Sequence, residues 1–206
     1  MQIKTFVSAD FPENCYAVEC NDGIFLVDPG EYTAELDCYV KKNKSDIKYI
    51  LLTHNHFDHI HATADIKKLC PDAKIVVHYL DADGLNNPQK NLAAYFGFEI
   101  EYIAVDILCN DFDIIEMGET KIKVLHTPGH SEGSVCYIVD DVIFSGDTLF
   151  EGSCGRTDFP SGDGTALSNS LKKLKNLDGD YKVFSGHGSS TTLNRERIYN
   201  HYMRKL

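Results

Sequence analysis

The sequence predicts an α/β domain built from packed layers of sheet and helix. Apolar runs rich in Ile, Val, Phe and Tyr recur along the chain, and turn-forming Gly, Asp and Asn separate them. Helical spacing of apolar residues appears between several of these runs. Hydrophobic residues make up 43% of the 206 residues, which is enough for a substantial core. No linker or low-complexity tract divides the sequence, so we expect residues 1–206 to form a single domain.

The predicted strands follow the apolar runs in chain order. Several runs alternate apolar and polar residues, as in "TKIKVLH", and this alternation is typical of a sheet with one buried face. We predict strands at residues 3–7, 16–20, 24–27, 47–52, 74–78, 113–117, 121–126, 135–139, 142–145 and 182–185.

Helices are predicted in four stretches that show helical periodicity. These are "YTAELDCYVKKN", "IHATADIKKLC", "TALSNSLKKLKNL" and "NRERIYNHYMRKL", and Pro71 ends the second of them. Residues 81–98 have little periodicity, so we predict a surface loop of the kind that often carries substrate contacts. Tyr95 is the side chain in this loop that we expect to reach a substrate.

Charge and cysteine content narrow the class of protein. The net charge of −11 disfavours nucleic acid as a partner, because an acidic surface repels phosphates. No apolar run approaches the roughly 20 residues of a membrane helix, so no membrane partner is expected. The start "MQIKTFVSADFPENC" lacks a secretory pattern. The seven cysteines form no CxxC pair, which favours free thiols and a cytoplasmic protein.

The stretch "LLTHNHFDHIHA" places a dense group of metal-ligand side chains directly after an apolar strand. His54 and His56 are two residues apart, so in extended backbone their side chains point the same way. Asp58 and His59 follow in the same loop and could face a second ion. A run this dense cannot supply one tetrahedral site by itself, so further ligands are expected from other parts of the chain.

Three further apolar strands end in turn-forming residues that lead to His130, Asp147 and His187. If these strand ends share one edge, seven imidazoles and carboxylates converge there. Such donors suit zinc, iron(II) or manganese, and the lack of thiolates disfavours a closed structural zinc site. The number of donors fits two ions about 3.5–4 Å apart that share one carboxylate.

The motifs "THNHFDH", "TPGHSEGS", "FSGDTLF" and "FSGHG" resemble the metallo-β-lactamase superfamily. They are most similar to its glyoxalase II (hydroxyacylglutathione hydrolase) branch, in the short bacterial form. The resemblance implies the metallo-β-lactamase fold, a four-layered αβ/βα sandwich with two divalent ions at one edge. Zinc is usual in this family, and iron or manganese also occurs. By this resemblance the first ion would be held by His54, His56 and His130, and the second by Asp58, His59 and His187, with Asp147 between them.

Some positions depart from the family pattern or have two interpretations. Ile60 and His61 stand where the family often has two glycines, and little chain follows His187 to supply the C-terminal glutathione-binding region of full-length glyoxalase II. Arg156 either recognises substrate charge or pairs with a neighbouring carboxylate. Asp28, in "VDPG", either supports a ligand or is a plain turn residue.

The resemblance and the donor set together predict a metal-dependent hydrolase of a small-molecule thioester, either acylglutathione-like or another acylthiol. A metal-bridging hydroxide would attack the carbonyl, and Asp58 and Asp147 would fix the ions and accept a hydrogen bond from that hydroxide. The alternatives are a persulfide dioxygenase, because "GRTDF" also occurs in that branch, and a lactonase. Cys154 could be a nucleophile, although a packed thiol is the commoner role.

Overall fold

The computed structural model describes residues 1–9 and 11–206 and contains two six-stranded sheets. The first sheet has the strand order β1-β2-β3-β4-β5-β6. Its first three strands are antiparallel, whereas β3 to β6 run parallel. The strands are β1 (Gln2–Val7), β2 (Asn14–Cys20), β3 (Gly23–Val27), β4 (Ile47–Leu51), β5 (Lys74–His78) and β6 (Ile107–Cys109).

The second sheet comes from the C-terminal half of the chain and has the order β14-β13-β10-β9-β8-β7. Its strands β8, β10 and β13 point the same way, because β9 is antiparallel to both β8 and β10 while β13 is parallel to β10. The strands are β7 (Ile114–Met117), β8 (Thr120–His126), β9 (Val135–Val139), β10 (Val142–Gly146), β13 (Lys182–Ser185) and β14 (Thr191–Thr192), and β11 (Leu149–Phe150) and β12 (Ser153–Cys154) form a separate ribbon.

Helices cover the outer face of each sheet. The first sheet packs on α1 (Ala34–Asn43) and α3 (Thr63–Leu69), and the second packs on α5 (Gly164–Lys175) and α6 (Leu193–Tyr199). Two short helices, α2 (Phe57–Ile60) and α4 (Ala93–Phe96), lie in loops. None of the helices that the structure describes has the length and apolar character to cross a bilayer.

The core consists of three apolar layers that follow from the alternation in the strands. The middle layer joins the inner faces of the two sheets and includes Phe25, Tyr137 and Phe144, all of them completely buried. The two outer layers join each sheet to its helices. This arrangement is the four-layered αβ/βα sandwich, which confirms the predicted fold class.

The ten predicted strands are all present, with ends within two residues of the expected positions. The short strands β6, β11, β12 and β14 were not predicted, because two or three residues carry too little periodicity to be recognised. The seven cysteines, all of which are described, are free thiols, as expected.

Two predicted helices are interrupted. The helix predicted over residues 60–70 breaks between α2 and α3, where the Ala62 amide donates to the Pro29 carbonyl at 3.0 Å and so starts a new helix. The C-terminal helix ends at Tyr199, because the Asn200 side chain accepts hydrogen bonds from the amides of Tyr202 and Met203.

The segment 81–98 is only partly a surface loop, which corrects the prediction. Leu85, Asn91 and Leu92 are buried, and the Asn91 carbonyl accepts a hydrogen bond from the Phe57 amide at 2.8 Å. The segment therefore packs directly against the short helix α2, while Tyr95 at its outer turn stays exposed.

Candidate metal centre

Four strands end at one edge of the sandwich and lead into the seven predicted ligands. In the second sheet, β8, β10 and β13 point the same way, so their carboxyl ends meet at one edge. The first sheet contributes β4, which is followed by the extended residues up to His56 and then by α2. This extended-then-helical turn places four donors from one loop beside donors from three other loops.

The first cluster consists of His54, His56 and His130, all of them buried. Their ligand atoms lie within 4.8 Å of one another. The Nε2 atom of each ring is buried and finds no hydrogen-bond partner among the described residues. Buried polar atoms are almost always paired, so three such nitrogens in one place fit a bound cation.

The second cluster consists of Asp58, His59 and His187. The Nε2 atoms of His59 and His187 are 3.3 Å apart, and His187 Nε2 is 3.5 Å from Asp58 Oδ2. Two imidazole nitrogens and a carboxylate oxygen thus point at a common position. This donor set also suits a divalent ion with nitrogen and oxygen ligands.

Asp147 lies between the two clusters and contacts both. Its Oδ2 atom is 3.4 Å from His130 Nε2 in the first cluster and 3.5 Å from His187 Nε2 in the second. Its Oδ1 atom is 3.4 Å from His59 Nε2. A carboxylate in this position is what two neighbouring ions would share.

The pKa values of His54 and His56 shift in the opposite direction to the pKa of His59. Burial and the neighbouring imidazoles lower the pKa of His54 well below its usual value and that of His56 to about 3. Burial alone would lower the pKa of His59, but the carboxylates of Asp147 and Asp58 raise it well above its usual value. His54 and His56 are therefore neutral, whereas the carboxylates around His59 favour a positive partner.

The outer ring nitrogens of four ligands are held in place by hydrogen bonds, which orient the Nε2 atoms toward the centre. Such contacts are the usual support of metal-binding histidines. The pairs are His54 Nδ1 with Thr53 Oγ1 at 3.0 Å, His59 Nδ1 with Asp28 Oδ2 at 3.0 Å, His130 Nδ1 with the Arg156 carbonyl at 2.8 Å, and His187 Nδ1 with the Pro12 carbonyl at 2.6 Å.

Asp28 supports the ligands, which decides between its two interpretations. Besides His59, its carboxylate accepts hydrogen bonds from the Thr53 amide at 2.7 Å and the Thr53 hydroxyl at 2.6 Å. One side chain thus positions a ligand of each cluster, His54 through Thr53 and His59 directly. Its backbone has φ of 48°, an unusual value for a residue other than glycine.

Asp81 is a positioning residue that the sequence motifs do not include. Its buried carboxylate accepts hydrogen bonds from the Asn55 amide at 3.1 Å, the Ser131 hydroxyl at 2.6 Å and the Gly133 amide at 2.7 Å. It therefore ties the loop of His54 to the loop that carries His130. Its place just after β5 in "VHYLDADG" was a usable signal, since Asp147 likewise follows a strand.

We expect Asp81→Asn to weaken metal binding by about 10–100-fold, since an amide cannot accept all three hydrogen bonds that join the two ligand loops. Competition with a chromophoric chelator would measure this loss, and circular dichroism would verify folding. Asp83→Asn is the matched control, because the Asp83 carboxylate is exposed and its one partner among the described residues is Lys90. Equal metal affinity in the two variants would contradict the positioning role.

A cavity of about 390 Å³ opens onto this centre, and His56, Asp147 and His187 are among the residues that line it. Cys154 also lines it, and burial raises the pKa of its thiol to about 11, which disfavours a nucleophilic thiolate. Arg156 lines it too, with its guanidinium bound to both carboxylate oxygens of Asp158 at 2.6 Å.

Tyr95 lies outside this cavity. Its side chain is 66% exposed, and it is the next residue, Phe96, that lines the cavity wall. Substrate contact by Tyr95 stays a prediction without a structural argument in its favour, whereas the structure adds Phe96 as a candidate.

Comparison with known proteins agrees with the fold. The model of the metallo-beta-lactamase superfamily matches residues 9–187. Hydroxyacylglutathione hydrolase GloC of Haemophilus influenzae is 31% identical over an alignment that covers 98% of each chain.

Two solved structures are similar over almost the whole chain. The BLEG-1 B3 metallo-beta-lactamase has a TM-score of 0.90 and 32% identity, covering 98% of this chain and 99% of the other. The di-iron-bound form of TTHA1623 has a TM-score of 0.85 and 34% identity, covering 97% of this chain and 99% of the other. The His/Asp cluster described above is thus able to bind metal ions, and the chain belongs to the metallo-β-lactamase superfamily.

Proposed function

We propose that the chain is a dinuclear metallohydrolase that cleaves thioesters, with zinc as the expected metal. The observation that carries the proposal is the position of Asp147, whose two oxygens lie within 3.5 Å of imidazole nitrogens from both clusters. The likeness to a hydroxyacylglutathione hydrolase supports the thioester as the substrate class.

Two divalent ions, when bound, make water nucleophilic at neutral pH and polarise a carbonyl oxygen. The seven proposed ligands include only two carboxylates, Asp58 and Asp147, so the centre keeps excess positive charge where an oxyanion develops. Asp58 lies at the cavity wall. Burial alone would raise the pKa of its carboxyl group, but His59 and His187 lower that pKa below its usual value. It can therefore orient the attacking water by accepting a hydrogen bond.

The shape of the site also suits an acyl transfer to water. The cavity reaches the ligands of both clusters, so a carbonyl can approach without movement of the backbone. A thioester is a favourable target there, because the thiolate leaves without the protonation by a general acid that an amide nitrogen would need. No side chain has to form a covalent intermediate, in keeping with the raised pKa of Cys154.

The test is metal analysis of protein purified without added metal, combined with a substrate panel on the same batch. The panel contains S-lactoylglutathione, other acylthiols, a lactone and glutathione persulfide. We expect two metal ions per chain and release of free thiol from acylthiols. One iron per chain with oxygen consumption on the persulfide would instead support the dioxygenase alternative, and turnover confined to the lactone would support a lactonase.

A further inference from the structure

We infer that the acyl group of the substrate is uncharged and aromatic and binds to a wall of phenylalanines beside the metal centre. This inference rests on the proposed thioester hydrolysis and specifies its substrate. The phenylalanine wall consists of Phe11, Phe57, Phe96 and Phe98. Its residues come from the loop after β1, from α2 and from the segment around α4.

The four rings form an ordered surface. Phe57 stacks on Phe96 and on Phe98, with ring centroids 5.1 Å and 4.9 Å apart. Phe11 meets all three edge-on, at centroid distances of 5.1 to 5.6 Å. Because these contacts hold the rings in place, another aromatic ring can pack against them at little entropic cost.

The wall adjoins the reacting position. Phe11, Phe57 and Asp58 line the cavity at the metal centre, and the same three residues line a smaller neighbouring cavity of about 200 Å³. Asp58 is a proposed metal ligand and directly follows Phe57 in the chain. A group attached to a carbonyl at the centre therefore reaches the wall within a few bonds, which fits the acyl side of a thioester.

Phe96 keeps apolar surface that a bound aromatic group would cover. Phe57 is buried, whereas Phe96 is 44% exposed although it packs against Phe11 and Phe57. Leaving this ring in contact with water is unfavourable, and a bound aromatic group would remove it from water. Phe96 is one of the residues that line the cavity at the metal centre.

Apart from the proposed metal ions, the groups that line the two cavities offer little positive charge to an anionic acyl group. Among the described residues that line them, Arg156 is the only lysine or arginine, and Asp158 already engages it through two hydrogen bonds. The Arg156 guanidinium also lies 3.9 Å from the ring centroid of Phe159, which fixes it further. Glu31 adds negative charge to the smaller cavity.

The experiment compares two thioesters of one small uncharged thiol, N-acetylcysteamine, carrying phenylacetyl and acetyl groups. For the unmodified metal-loaded enzyme we expect kcat/KM to be about tenfold or more higher for phenylacetyl, the range that a filled apolar pocket provides. Phe96→Ala should lower the phenylacetyl-to-acetyl ratio by about tenfold. Phe112→Ala is the control, because Phe112 is an exposed phenylalanine that lines neither cavity, and it should keep the ratio.

Each outcome bears on one of the two proposals. Hydrolysis of both thioesters at equal kcat/KM, or an unchanged ratio in Phe96→Ala, would overturn the aromatic acyl site and leave thioester hydrolysis standing. If the metal-loaded enzyme hydrolysed neither compound, the proposed function itself would be overturned. Should Phe96→Ala fold poorly, Phe98→Leu tests the same wall from the smaller cavity.

Discussion

Asp147→Ala should lower kcat/KM for a thioester by at least about 10³-fold while the protein stays folded. The estimate follows from the several kcal/mol that a two-metal centre contributes to the transition state, at about 1.4 kcal/mol for each tenfold change. Asp147 is the only proposed ligand whose oxygens contact both clusters, so its loss should affect both ions.

The expected change in metal content has an electrostatic cause. Without the Asp147 carboxylate, Asp58 is the only negative charge among the remaining ligands, and the imidazoles of His59, His130 and His187 lose their common partner. We therefore expect bound metal to fall from two ions per chain to one or fewer. The core between the sheets does not involve this side chain, so folding should persist.

Asp141→Ala is the matched control for this experiment. Asp141 is an exposed aspartate that directly precedes β10, and Asp147 directly follows the same strand. The control should retain both metal ions and full turnover. If Asp147→Ala kept normal turnover, the bridging role would be rejected, and if it unfolded even with metal supplied, a structural role would be favoured.

The proposed ligands could be named from the sequence because each belongs to a local pattern. Three of the ligands, His130, Asp147 and His187, come within a few residues of the end of an apolar strand. Such strands can be recognised in a single sequence. Their convergence follows from the parallel direction of β8, β10 and β13, which is a property of topology. That topology could be expected because the four motifs, in their order along the chain, resemble a family of known fold.

The hydrogen-bond partners of the supporting residues could not be predicted in the same way, because these partners are distant in sequence. Asp81 bonds Ser131, 50 residues away, and the Tyr16 hydroxyl donates to the Ser185 carbonyl, 169 residues away. The break between α2 and α3 likewise depends on the distant carbonyl of Pro29. No local pattern encodes a hydrogen bond whose partner is chosen by packing.

The sequence also could not show which side chains of a segment face the substrate cavity. The sequence predicts substrate contacts from the segment 81–98, but which of two adjacent residues makes them depends on how α4 turns. The four-residue helix α4 brings Phe96 into the cavity and leaves Tyr95 in solvent. A helix this short has too little periodicity for the sequence to reveal which face is covered.

Gly186→Ala should disable the centre by displacement of ligands, with about a 10²-fold loss of activity, since shifts near 1 Å at a catalytic site have costs of that size. A Cβ atom at position 186 would lie 2.3 Å from Asp147 Oδ1 and 2.5 Å from His59 Cε1, far inside contact distance. The backbone cannot easily withdraw, because the Gly186 amide donates to the Gly146 carbonyl and its own carbonyl accepts from the Asn14 amide.

The control for this substitution is Gly164→Ala at the start of α5, where the nearest atom to a new Cβ is Thr157 Oγ1 at 3.5 Å. That change should leave activity intact and raise stability by about 0.5–1 kcal/mol, because alanine loses less backbone entropy in a helix than glycine does. Thermal unfolding and metal titration of both variants separate the two effects. If Gly186→Ala instead retained both ions and full activity, the loop must have moved far enough to make room for the new methyl group. The close fit of backbone and ligands would then not be what holds Asp147 and His59 in position.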